Sequence, residues 1–129
     1  MNKEDYVSIE VAKLLKERGY DEDCGYAIGV GPRYGLKYLS HRTNSSLPNN
    51  ICSRPSLHEA QKWLRTKKGI YVWLEPVIGH KWTVSFCDFN VSMEESDWIG
   101  RKLNKDGYPI YETYEEALNT GILEVLKLI

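Results

Sequence analysis

His41, Cys52 and His58 lie close together in the chain and are the first residues whose types suggest a metal. Zinc takes four ligands, usually delivered in pairs such as CxxC or HxxxH. No such pair occurs and no fourth ligand is in sight, so the three are read as unrelated polar residues and no metal is expected. The glycines of GYAIGVGPRYGLKYL raise phosphate binding instead. Their spacing, Gly29-x-Gly31-x-x-x-Gly35, is not the dinucleotide fingerprint, and no helix follows to aim its N-terminus at a phosphate, so no cofactor is expected either. Cys24, Cys52 and Cys87 would each need a neighbouring base to act as a nucleophile, and nothing in the sequence places one. No catalytic residue is assigned.

What the sequence offers is charge and aromatic surface. Residues 25–87 carry nine Lys or Arg against two Asp or Glu, whereas residues 1–24 carry four against seven and residues 88–129 four against nine, within a net charge of −1. That asymmetry raises an anionic partner for the middle segment. The plainer reading is that the acidic ends fold back against it. Within the segment, His58, Lys62 and Arg65 share one helix face, Arg54, Lys67, Lys68 and Lys81 lie near in sequence, and Tyr71 and Trp73 are interleaved. This is the mix that phosphate contact and base stacking require, so nucleic-acid binding is one reading of the chain. The leading reading is a module that binds another protein without chemistry of its own.

The elements that must position these residues are legible in part. Ser56 can cap a helix whose third residue, Glu59, reaches back to the cap, and the wheel puts Leu57, Ala60 and Leu64 on one side with Trp63 on the flank. Lys67 and Lys68 suit the negative end of that helix and Gly69 its close. Ile70 to Val77 and Lys81 to Phe89 then read as two strands of an antiparallel hairpin joined by Ile78-Gly79-His80, with Pro76 confining the first strand to a sheet edge. Upstream, Ser8 caps a helix over Ile9 to Arg18 that Gly19 ends. V-A-K-L-L within it also occurs in DNA-binding helix-turn-helix proteins, but Asp21-Glu22-Asp23 follows where a second helix should. Tyr26 to Val30 and Leu36 to Ser40 read as strands joined at Gly31-Pro32, and HRTNSSLPNNICSR, His41 to Arg54, as a long surface loop. Asn90 to Gly107 is irregular and Tyr108 to Tyr111 a short strand. Thr113 with Glu116 opens the last helix, which Gly121 weakens and could bend. Each helix opens on Ser or Thr and places an alanine four residues on: Ala12, Ala60 and Ala117.

Three blocks carry a resemblance. P-S-L-x-x-A-Q-K-W-L-R-x-x-K-G-I at Pro55 to Ile70, Y-E-E-A-L-x-x-G-I-L-E-V-L-K-L-I at Tyr114 to Ile129 and V-S-I-E-V-A-K-L-L-K-E-R-G-Y at Val7 to Tyr20 are similar to a family of small uncharacterised proteins of phages and prophages of Bacteroides-type gut bacteria. The resemblance implies a phage-related origin and no activity.

The 129 residues suit one domain, and the sequence predicts an α+β fold: an antiparallel sheet of four or five strands with three helices packed on one face. Three widely spaced cysteines fit reduced thiols in a cytoplasm. The opening MNKEDYVSIE lacks an apolar core and no long apolar run occurs, so neither export nor a membrane span is expected, and Asn44-Ser-Ser reads as a chance match to the glycosylation pattern. The last helix is apolar round an arc of about 220° from Leu128 to Leu123, well beyond the stripe of roughly 100° that a surface helix needs. Burial in the domain or a partner surface would each cover it; the expectation leans to a symmetric homodimer with Leu123 and Leu128 at the edges of the contact.

Overall fold

The computed structural model describes residues 3–29, 37–88 and 110–129. Each helix starts at its expected cap. Helix α1, Ile9–Glu17, is capped by Ser8, whose hydroxyl accepts from the Val11 N–H. Helix α2, Leu57–Trp63, opens on the full reciprocal box of Ser56 and Glu59 and runs on as a wider π-type turn over Leu64–Lys68, closed by Gly69 at φ 70. Helix α3, Tyr114–Leu128, is capped by Thr113 through the Glu116 N–H. In all three the alanine four residues on donates its N–H to the cap carbonyl and is wholly buried.

The strands do not form the single sheet expected. β1, Cys24–Gly29, pairs antiparallel with β2, Lys37–Arg42, on one side and with β3, Ile51–Ser53, on the other. β4, Ile70–Val77, and β5, Lys81–Asp88, make a separate antiparallel hairpin. The five strands thus divide into sheets of three and two. The cause is β3, which lies inside the stretch read as a surface loop. It has no period because it is only three residues long, and a side chain holds it: buried Asn44 donates to the Tyr20 carbonyl (2.7 Å) and accepts from the Ser53 N–H (2.8 Å). Lys16 of α1 adds two bonds from the far side, to the carbonyls of Pro48 (2.8 Å) and Ile51 (2.6 Å). Asn44-Ser-Ser is therefore structural.

Of the strand expected over Tyr108 to Tyr111, Tyr111 exchanges both backbone hydrogen bonds with Trp82 of β5. The Gly31-Pro32 turn and Asn90 to Gly107 lie outside the described residues. β1, not a second helix, follows α1.

Helix α3 is the centre of the molecule rather than one of three helices on a common face. Asn119 bonds Ser8 at the start of α1, accepting from its N–H (2.9 Å) and donating to its hydroxyl (3.2 Å). About 160° round the helix, Gly121 faces the hairpin so closely that an added Cβ would run into Val84 and Val72. The glycine that looked like a weakness is the contact that admits the sheet. One continuous apolar cluster results, running from Val7, Val11 and Leu15 through Ile28, Leu57 and Leu64 to Val72, Val84, Phe86, Ile122 and Leu126.

Candidate binding surface on the hairpin and helix α2

Alternation along the hairpin puts two sets of side chains on opposite faces. Ile70, Val72 and Leu74 of β4, with Val84 and Phe86 of β5, join the core. Tyr71 and Trp73 face outward, 41% and 39% exposed. Two residues apart on a paired strand, they stand on the same face with the backbone beneath them held by β5. Trp73 Nε1 donates to Glu75 Oε1 (3.1 Å), and the Arg65 guanidinium lies over the Tyr71 ring, 5.6 Å from its centroid.

Helix α2 is fixed beside this face by Gln61, whose side-chain amide donates to the Val72 carbonyl (2.7 Å). The bond also identifies the free edge of β4. Val72 turns its carbonyl away from β5, so Pro76, at the same parity, turns its missing N–H outward too. The edge is thereby occupied at one position and without a donor at another, which discourages strand addition.

The structure divides the basic residues expected to act together. Arg65 and Tyr71 are in contact, with Trp73 on the same strand face as Tyr71, and His58 and Lys62 are exposed on the outer side of α2. Lys68 lies over the buried Trp63 ring at 5.4 Å, and Trp63 in turn meets Tyr20 edge-on. Lys67 approaches Glu22 (4.0 Å) and Lys81 pairs with Glu112 (2.5 Å), so the acidic ends do reach back to the basic middle at two points. Arg54 does not belong to this surface at all: it is buried, with its Nε on the Val7 carbonyl (2.8 Å).

Leu123 is half-buried against the core, and Ile122, Val125 and Leu126 are buried, so most of the α3 arc is covered within the chain. Leu128 and Ile129 remain 48% and 44% exposed. Sequence reasoning passed over two apolar exposures: Ile78 at the hairpin tip, which stands wholly in solvent, and Tyr26, 43% exposed and edge-on to Tyr6. A turn residue and an alternating strand give no prior signal of standing proud.

Cys24 and Cys52 are buried, and burial pushes both thiols up from their ordinary range, which leaves them protonated and poor nucleophiles. His41 and His58 are exposed while Cys52 is not, and among the described residues no three His, Cys, Asp or Glu side chains are grouped to hold a metal ion. No described helix is long and apolar enough to cross a membrane. Compared with family models, curated proteins and solved structures, the chain matches none.

Proposed function

We propose that the protein is a binding module that docks another protein on the outer face of the β4–β5 hairpin, of the phage-related kind that the three sequence blocks resemble. The observation that carries this reading is the exposed pair Tyr71 and Trp73 with Arg65 stacked on the first ring. Tyr, Trp and Arg dominate the energetics of protein interfaces, the two aromatics because each covers a large area with few torsions to freeze and arginine because its planar head stacks and gives several hydrogen bonds. Here the two rings are already held by a hydrogen-bonded ladder, so ordering them on binding costs little. Arg65 flanks the first ring, and the partner is accordingly a surface with a carboxylate beside an apolar centre.

Nucleic acid is the weaker reading. Its expected footprint is interrupted, since Arg54 is buried and Lys67 and Lys81 face carboxylates. The two readings separate on variants that keep the fold. A Tyr71→Ala, Trp73→Ala double variant and Arg65→Glu, each still melting cooperatively as a folded protein, are expected to lose a protein that the wild type captures reproducibly from extracts of the source cells. A labelled oligothymidylate that binds wild type with steep salt dependence, and loses that dependence in a Lys62→Ala, Arg65→Ala variant, would replace the proposal with the nucleic-acid reading.

A further inference from the structure

Arg54 poses a separate question. It follows β3 directly, its N–H bonds the Tyr26 carbonyl, and only 7% of it is exposed. Its guanidinium lies 5.9 Å from the Tyr6 ring centroid and gives one hydrogen bond, from Nε to Val7. Among the described residues no carboxylate pairs with it, and its terminal nitrogens have no acceptor. Burial draws its pKa below the ordinary arginine value. A guanidinium carries five donors, and one so far out of water with a single acceptor is costly to keep.

The charge is not sealed in. Arg54 forms part of the wall of an open cavity of about 620 Å³, which is also lined by Tyr6, Asn119 and three acidic residues, Glu4, Glu115 and Glu116. Glu4 and Glu116 are exposed and Glu115 half-buried, so the carboxylates lie nearer solvent and the cation deeper. A simple anion would meet Arg54 but pass three like charges to reach it. A simple cation would meet the carboxylates and be repelled by the arginine. A molecule with a carboxylate at one end and an ammonium at the other matches both layers, and the planar guanidinium fork suits a carboxylate in particular. The volume falls within the usual range for small-ligand sites.

We propose that this cavity binds a zwitterion of amino-acid to dipeptide size, with its carboxylate on Arg54 and its ammonium among Glu4, Glu115 and Glu116. The site shares no residue with the hairpin surface and stands or falls independently of it.

The test is a thermal-shift and calorimetric titration of the whole chain with the standard amino acids and alanyl dipeptides, each repeated as its N-acetyl acid and its C-terminal amide. At least one free zwitterion is expected to bind saturably and to raise the melting temperature. Blocking either end of that compound should weaken it roughly tenfold or more, as losing a charge-assisted contact implies. Glu116→Gln, at an exposed position that leaves the fold intact, should weaken the zwitterion and leave its N-acetyl acid unaffected; Arg54→Lys should weaken both. No binding by any member at millimolar concentration overturns the proposal. So does an N-acetyl acid that binds as well as its parent and ignores Glu116→Gln, because the cavity would then be a plain anion site.

Discussion

The hairpin's two faces are built by alternate residues of the same two strands, yet they have opposite fates. Val72, Val84 and Phe86 are buried in the core, while Tyr71 and Trp73, one step away along the backbone, are 41% and 39% exposed. Both sets are large and apolar enough to be core, so hydrophobicity does not choose between them. The choice lies on the other element: Gly121 gives α3 a place without a side chain, and the branched Val72 and Val84 fill it where an indole or a phenol would not. The outer face, for want of a matching groove on α3, keeps two partly exposed rings to present to a partner.

The comparison can be broken hardest on the inner face. Phe86→Ala should cost about 3–5 kcal/mol in chemical denaturation, since the ring is buried and the cavity it leaves cannot collapse against a sheet. Gly121→Ala comes next, at about 1–3 kcal/mol of lost stability, because the crowding against Val84 and Val72 outweighs the roughly 1 kcal/mol that alanine gains in helix propensity. A stabilising Gly121→Ala would show that the close approach is not what selects the buried face.

Smaller effects sharpen the outer face. By register Thr83 belongs to the outward set, opposite Glu75, but it is only 4% exposed and its hydroxyl has no hydrogen-bond partner among the described residues. Thr83→Val keeps the shape and removes the unpaired group, and should raise the denaturation midpoint by about 1 kcal/mol of stability. Trp73→Ala should cost about 1 kcal/mol or less, and Lys62→Ala on the exposed side of α2 no more than about 0.5 kcal/mol. A large loss from Trp73→Ala would mean that the outer rings are structural and not a docking surface.

The sequence displayed what is local. Ser8, Ser56 and Thr113 announced three helices because a cap is a contact between residues three apart, and the hairpin announced itself through alternation and its short turn. It hid what is long-range. β3 is held by Asn44 and Lys16, and neither interaction has a sequence period. Missing β3 also hid the division into two sheets, while the cover of the α3 arc, by α1 on one side and the hairpin on the other, rests on long-range packing that no local pattern shows. Arg54 was grouped with surface cations because arginine is seldom buried. What takes it inward is the crossing of residues 6–7 over residues 55–56, seen in the Tyr6 to Ser56 bridge and the bond from the Val7 N–H to the Pro55 carbonyl. Of the candidate surface, Arg65, Tyr71 and Trp73 were legible as types but not as a contact, because the approach of helix to strand, fixed by the Gln61 bond and the Arg65 stacking, has no sequence period.

The fastening of α1 to α3 bears on how the chain reaches this state. Asn119 receives the Ser8 N–H, and Arg18 donates from Nε to the Leu126 carbonyl (2.9 Å), so both ends of the first helix are tied to the last. The apolar side of α1 therefore stays uncovered in the folding chain until α3 docks on it. Contacts of such long sequence separation slow folding, since the loop must close before any of them is gained. Until that closure Val11 and Leu15 are open to whatever binds unfolded apolar segments.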